Sequence, residues 1–303
     1  MNYNLITILG PTAVGKTRLG ALLANRFNGE IISADSRQVY IGMDLGTGKD
    51  LDDYSVNGKV IPYHLINVLQ PGGEFNLFSF NELFYKSFND ISSRNKIPFL
   101  VGGTGLYLHS ILKSYELNKV EYDSHSYDRL NEEDIDLLRK KLFELNPNLH
   151  NTTDLLIKDR IIKAIMIAEK KYFRNIEGKT TVNSLVIGVN VERSIVKDRI
   201  TKRLKQRLDS GMIKEVENLI DSGITFEKLE FFGLEYKFIA KYLKQELTYE
   251  EMFEKLNTAI HQFAKRQMTW FRKMEREGLK IHWIENAEYE AAEKIILKNY
   301  FHE

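Results

Sequence analysis

The chain has 303 residues, 43% apolar and 28% charged, enough to bury a sizeable core as one large domain or a domain with an insertion, and too apolar for a disordered chain. Lys plus Arg number 43 against 42 Asp plus Glu, so net charge neither requires nor excludes a nucleic-acid partner, and its distribution must decide. The absence of cysteine excludes disulfides, thiolate zinc sites and cysteine-held iron–sulfur clusters. No apolar run reaches the ~18 residues that span a bilayer, and the sequence enters a strand without a basic leader, which predicts a cytoplasmic protein with no membrane attachment.

Leu5–Leu9 reads as a strand, followed by Gly10-Pro11-Thr12-Ala13-Val14-Gly15-Lys16-Thr17 and then helical sequence from Arg18 to Phe27. This is a phosphate-binding loop in its strand–loop–helix setting. Its glycines let backbone N–H groups turn toward one anion, the helix N-terminus adds partial positive charge, Lys16 reaches the outer phosphates and Thr17 can hold Mg²⁺. Glu30–Ala34, Val60–Val68 and Pro98–Val101 read as further strands. Ser79-x-x-Glu82 reads as a capping box opening a helix with Leu83, Phe84, Phe88 and Ile91 on its core face. The alternation predicts an α/β fold with a P-loop NTPase-like parallel sheet flanked by helices.

Between Ser114 and about Lys179 the strand pattern gives way to charge-rich helical sequence, as in Asn131–Leu145 and Leu155–Tyr172. This predicts a helical insertion over residues 114–179, between core segments 1–113 and 180–303. The core then resumes with Ser184–Asn190 as a strand, Ser194–Leu208 and Met212–Asp221 as helices, and a long helix from the Thr248-x-x-Glu251 box to about Glu277. Residues 193–207 hold seven Lys or Arg against one acid, Asp198, and a second basic cluster lies between His261 and Lys280. Such clusters are either solvated helix faces or surfaces for a phosphate-rich partner.

Asp35 follows the second strand in Ser33-Ala34-Asp35-Ser36. Strand C-termini in an open α/β sheet face the ligand crevice, so Asp35 is placed to ligate Mg²⁺ through water, to act as a general base, or simply to cap a helix. A motor or hydrolytic NTPase needs a second acid at a strand end. Here Ile97–Val101 ends instead in Gly102-Gly103-Thr104-Gly105, which argues against an ATP-driven machine and leaves Asp35 as the main carboxylate for proton transfer. The two glycines suggest close approach to a ligand, with Thr104 capping the next helix or touching substrate.

Gly10–Thr17, the run from Ser33 through Tyr40 to Lys49, Pro62-x-His64-Leu65 and Val101–Tyr107 together resemble the tRNA dimethylallyltransferase (IPP transferase) family. Arg199-Ile200-x-x-Arg203, Gly211 with Glu215-Val216, and Ala264-Lys265-Arg266-Gln267-x-Thr269-Trp270-Phe271 extend the likeness over nearly the whole chain. The resemblance implies transfer of a dimethylallyl group from its diphosphate to N6 of the adenine beside the tRNA anticodon, with diphosphate leaving. The loop would then grip an isoprenoid diphosphate, with ATP only an in vitro occupant. Mg²⁺, Lys16, Thr12, Thr17 and Arg203 would stabilise the leaving charge, and Asp35 would take the N6 proton. Flipping the target base out of its stack is implied as well. Asp35, Ser36, Arg37, Gln38 and Thr104 match contacts to that adenine and its neighbours. Asp159, Arg160 and Lys163 match a further RNA-contacting stretch. A monomer is also implied.

The chain departs from the family pattern in places. Lys163 stands for a usual Arg, Ile260-His261 for Thr-Arg, Arg207 for a common Met, and Glu230-Phe231-Phe232-Gly233-Leu234-Glu235-Tyr236 follows the Gly-Tyr-Lys-Glu stretch only loosely. The aromatics of residues 230–236 read as core, as do Trp270 and Phe271. His64 reads as structural with no identifiable partner acid, and Lys265, Arg266 and Gln267 either touch tRNA phosphates or face solvent. Rival readings are a P-loop small-molecule or nucleotide kinase, an adenylate isopentenyltransferase acting on a free nucleotide, and a non-enzymatic RNA-binding protein.

Overall fold

Strand β1 (Leu5–Leu9) is apolar at every position but Thr7 and completely buried, the signature of a parallel strand covered on both faces. The computed structural model describes residues 3–115, 117, 124–146, 155–169 and 178–303. In chain order β1 is followed by α1 (Lys16–Arg26), β2 (Gly29–Ala34), β3 (Ser55–Val56), β4 (Lys59–Val60), β5 (Tyr63–His64), α2 (Leu77–Ser93), β6 (Ile97–Gly102) and α3 (Gly105–Leu112). Then come α4 (Ser124–Asn131), α5 (Ile135–Leu145), α6 (Lys158–Glu169), β7 (Ser184–Asn190), α7 (Arg193–Asp209) and α8 (Met212–Asp221). The chain closes with α9 (Phe226–Phe232), α10 (Leu234–Leu243), α11 (Tyr249–Arg276), β8 (Ile281–Glu285) and α12 (Tyr289–Ile296).

Six strands form one sheet in the order β5-β2-β6-β1-β7-β8, and every pairing in it is parallel. Ile6, Ile8, Ile31, Phe99 and Val101 pack with Leu19 and Leu23 of α1 into one core. The register sets Leu9 opposite Gly102 on one side and Gly188 on the other. The C-terminal ends of β2, β6 and β1 therefore lie side by side, and the fold is the P-loop-like α/β architecture expected. The chain divides into two compact units, Met1–Ser114 with Gly178–Glu303, and Tyr115–Glu177. The second unit has its own small core of Leu130, Leu138, Leu142, Ile161, Ile162, Ile165 and Met166.

Several elements differ from the sequence expectation. Val60–Val68 is not one strand: Val60 ends a hairpin, β5 pairs with β2 over two residues only, and Leu65 and Asn67 turn to positive φ. Its apolar ends are exposed, Val60 at 63% and Val68 at 43%, so the apolar run marks an edge and not a buried strand. Helix α2 starts ahead of the Ser79 box, because Asn76 caps it by accepting the Ser79 N–H at 3.0 Å. Of the expected Asn131–Leu145 helix, Asn131 ends α4 and the helix proper, α5, begins at Ile135, where Asp134 caps it by accepting from the Asp136 N–H at 2.8 Å. Within the expected Leu155–Tyr172 helix, α6 begins at Lys158, and residues 170–172 lie outside the described residues. The Thr248–Glu251 box forms as read, with reciprocal bonds of 3.2 and 2.9 Å.

His64 does have a partner acid. Its Nε2 lies 2.8 Å from Glu30 Oε2, and Glu30, buried in β2, also accepts from Arg94 at 2.5 and 2.8 Å and from Lys96 at 2.6 Å. Arg94 foremost, helped by Lys96 and His64, holds the Glu30 carboxyl far below the usual carboxylate range against the opposing effect of burial. The network sits at the β2–β5 edge and is structural. Phe232 and Tyr236 are core, but Phe231 is 51% exposed, and Trp270 is half-buried beside fully buried Phe271.

Candidate active site

Residues 10–17 turn through Ala13 at φ 64 and Gly15 at φ 86 before Lys16 opens α1. Left-handed residues in such a loop direct successive N–H groups into one concavity, and the helix N-terminus adds to its positive potential. The loop is held from 255 residues away in sequence. Gln267, buried on α11, accepts the Thr12 N–H at 2.9 Å and donates its amide to the Gly103 carbonyl at 2.9 Å. A side chain at Gly103 would collide with that amide, so the close approach requires glycine. One amide thus fixes the loops leaving β1 and β6.

Asp35 follows β2 and caps no helix. Its Oδ1 accepts the Arg37 N–H at 2.9 Å, a local turn bond that holds the carboxylate in place. Thr104 precedes α3 without a side-chain capping bond, and its hydroxyl accepts the Ser36 N–H at 3.1 Å. Arg37 donates to the Phe231 carbonyl at 2.8 Å, and the Gln38 amide donates to the Gly48 carbonyl at 3.1 Å. Beyond this run, Glu215 accepts the N–H groups of Asp44, Leu45 and Gly46 at 2.8, 2.7 and 3.0 Å and the Tyr236 hydroxyl at 2.7 Å. Buried Lys49 donates to Asp44 at 2.8 Å and Asn67 at 2.6 Å. The loop over residues 35–50 is therefore pinned on several sides.

A cleft of about 610 Å³ opens beside the phosphate loop, lined by Ala13, Gly15, Lys16, Thr17, Leu45, Asp50 and Asp53, by Arg199, Lys202, Arg203, Gln206 and Arg207 of α7, and by Ser210 at its end. The α7 residues recur at helical spacing, so the basic cluster is a cleft wall and not merely a solvated face. Burial pushes the Lys16 ammonium down to about 8; Asp35 opposes this, Arg203 adds to it and Asp53 opposes it. Lys16 donates to the Pro11 carbonyl at 3.1 Å. Burial, then the charge of Asp50, raises the Asp53 carboxyl. Arg203 pairs with Asp50 and donates to the Gly48 carbonyl at 3.3 Å. That carbonyl also takes Gln38, so it joins the Asp35 loop to the cleft.

The structure brings Ala13, Gly15, Lys16, Thr17 and Arg203 into the cleft. Gly10, Pro11 and Val14 shape the loop as buried residues, and Thr12 lines a small adjoining cavity of about 30 Å³ with Arg203, Arg207, Glu235 and Ile260. Asp35, Ser36, Arg37, Gln38 and Thr104 form a second cluster on the neighbouring strand ends. Asp159, Arg160 and Lys163 lie on α6 of the second unit, where Asp159 accepts from the Tyr127 hydroxyl at 2.8 Å and pairs with Lys163 at 3.2 Å. Among the described residues no three His, Asp or Glu side chains converge to hold a metal. Thr17, Asp50 and Asp53 supply side-chain oxygens to the cleft lining, the hard ligand type that Mg²⁺ takes together with water and substrate phosphates.

Gln267 corrects an expectation, since it neither faces solvent nor is free to reach tRNA. His261 Nε2 lies 3.3 Å from the Lys197 carbonyl and Ile260 is buried, so this pair packs α11 on α7. Asp50, Asp53 and Arg207 are cleft residues that sequence reading did not assign to the site. No local motif marks the two aspartates, whereas Arg207 could have been found from its one-turn spacing to Arg203.

Known proteins resemble the chain over nearly its whole length. The IPP transferase family model matches residues 38–274. Over 295 residues the chain is 52% identical to tRNA dimethylallyltransferase 1 of Geotalea daltonii, covering 97% of this chain and 95% of that one. It is 47% identical over 302 residues to tRNA dimethylallyltransferase 1 of Syntrophus aciditrophicus, covering 99% of both. Among solved structures, the tRNA isopentenylpyrophosphate transferase of Bacillus halodurans superposes with a TM-score of 0.70 at 32% identity, covering 99% of this chain and 95% of that one. Likeness of this extent spans both units and every strand end that builds the cleft, and the chain belongs to the IPP transferase family.

Proposed function

We propose that this protein transfers the dimethylallyl group of dimethylallyl diphosphate to N6 of the adenine immediately 3′ of the anticodon in a tRNA, releasing diphosphate. The observation that carries the reading is the placement of a glycine-rich loop after β1 and a fixed carboxylate, Asp35, after β2, the two strands that flank β6, with the Gly48 carbonyl linking the Asp35 loop to Arg203 of the cleft wall. Family membership supplies the substrates.

In the reaction the allylic C1–O bond breaks, its electron pair leaving with the diphosphate, while N6 bonds to C1. The loop amides, Lys16 and Arg203 neutralise the leaving diphosphate. Adenine N6 is a weak nucleophile because its lone pair is delocalised into the ring, and it must lose a proton as it bonds to carbon. Asp35 takes that proton on Oδ2, since Oδ1 already accepts the Arg37 N–H. Mg²⁺ would be held by Thr17, diphosphate oxygens and water, with Asp53 or Asp35 in the outer sphere, and would supply charge neutralisation at the leaving group. Asp35 to Gln38 and Thr104 surround the flipped base, while Asp159, Arg160 and Lys163 contact the anticodon stem-loop. We take the enzyme to be a cytoplasmic monomer.

Incubation with unmodified tRNA, Mg²⁺ and labelled dimethylallyl diphosphate, followed by nuclease digestion, should yield labelled N6-dimethylallyladenosine. Absence of labelled nucleoside alongside ATP turnover on a nucleoside or nucleotide acceptor would refute the proposal in favour of a kinase.

A further inference from the structure

Arg207 stands one turn beyond Arg203 on α7 and lines both the main cleft and the small cavity next to Thr12. The side chain is only 14% exposed. A guanidinium carries five N–H donors, yet among the described residues the hydrogen-bond partner of Arg207 is Asp50 alone, at 3.3 and 3.4 Å. The same carboxylate already takes the closer contact from Arg203. Two buried or half-buried arginines thus share one half-exposed acid, which leaves a surplus of donors on the cleft wall.

The backbone is shaped around this pair. Gly48 sits at φ +71, and a Cβ there would collide with the guanidiniums of both Arg203 and Arg207. Burial and the charge of Arg203 work against the charge on Arg207, with Asp50 and Glu235 opposing them. Glu235 lines the small cavity and not the main cleft. The main cleft sets Lys16, Arg199, Lys202, Arg203 and Arg207 against Asp50 and Asp53, so its lining carries an excess of positive charge.

We propose that Arg207 is a second guanidinium for the diphosphate of the donor, and that Asp50 is the counter-ion which that diphosphate displaces. Donor phosphate oxygens take over the N–H groups of both arginines, and Asp50 releases them. The inference rests on the reading that this cleft holds the donor diphosphate.

Titration calorimetry of the full chain with inorganic pyrophosphate and Mg²⁺ tests it. Arg207→Met should weaken binding about tenfold or more, the scale of losing a charge-assisted hydrogen bond. Arg207→Lys should lose affinity as well, because one ammonium cannot reproduce the planar fork, and it covers the case in which Arg207→Met does not fold. Asp50→Asn should tighten binding about threefold or more by removing the competing charge. Pyrophosphate affinity unchanged in both Arg207 variants, with Arg203→Ala and Lys16→Ala impaired, would overturn this inference alone. Weaker binding by Asp50→Asn would also overturn it, since Asp50 would then position the arginines and not compete for them. If Arg203→Ala and Lys16→Ala bind pyrophosphate normally, the donor-site reading itself falls.

Discussion

Replacing Gln267 by Ala removes the one side chain that ties the phosphate loop to the loop after β6. Two bonds of 2.9 Å disappear, leaving the buried Gly103 carbonyl and the half-buried Thr12 N–H without partners. An orphaned buried polar group costs about 1–3 kcal/mol; with Gly103 dry and Thr12 half wet, we expect a loss of about 3 kcal/mol. Unfolding entropy near 2.1 cal/mol/K per residue over 303 residues gives about 0.64 kcal/mol per degree, hence a Tm drop of about 5 °C. Thr12 also loses its orientation, so pyrophosphate affinity should fall about tenfold, the worth of one hydrogen bond. Differential scanning calorimetry and titration calorimetry read the two effects. Gln267→Glu is the control: its carboxylate still accepts from Thr12 but opposes the Gly103 oxygen, so its deficit should shrink as the pH falls and the carboxyl becomes a donor. A Tm within about 1 °C of wild type and pyrophosphate affinity within about twofold for Gln267→Ala would refute the bridging role.

Asp35→Asn should keep tRNA affinity and lose transfer by roughly a hundredfold or more in single-turnover assays, the usual scale of general-base catalysis; an unchanged rate would remove that role. Because burial pushes the Lys16 ammonium down to about 8, pyrophosphate affinity should decline as pH rises through that value, and Lys16→Met should abolish the decline. The same shift has the opposite sign for the fold: between about 8 and the unfolded value near 10.4 the unfolded chain holds the extra proton, so this group's contribution to stability rises with pH. Glu30 behaves in the reverse sense. Its depressed carboxyl stabilises the native state fully above the unfolded value near 4.3, and that contribution fades as the pH falls below it. Glu30→Gln should therefore lower Tm at neutral pH and narrow the gap to wild type in acid.

Local features carried much of the sequence reading. β1, β7 and α8 have the expected limits because continuous apolar runs and helical periodicity are local signals, and Thr248 with Glu251 encodes its own cap. The loop 10–17 was legible for the same reason. Asp35 was recognisable only by its place after a strand, and its turn bond to Arg37 adds what sequence position cannot supply. What escaped is long-range: Gln267 reaches Thr12 across 255 residues, and His64 reaches Glu30 across 34. The edge strand β5 was overread because Val60 and Val68 look like core residues yet lie exposed, a tertiary outcome that residue type does not determine.

The reach of Gln267 also sets a timetable for synthesis. The phosphate loop and Asp35 leave the ribosome early, but the cationic wall arrives only with α7, and the amide that fastens the loop comes later still on α11. At ~5–20 residues per second, the 255 residues between Thr12 and Gln267 keep a nascent chain without a fastened 10–17 loop for on the order of ten seconds or longer. A ribosome stalled before α11 is complete therefore holds a protein that carries its motif in full and has no finished site.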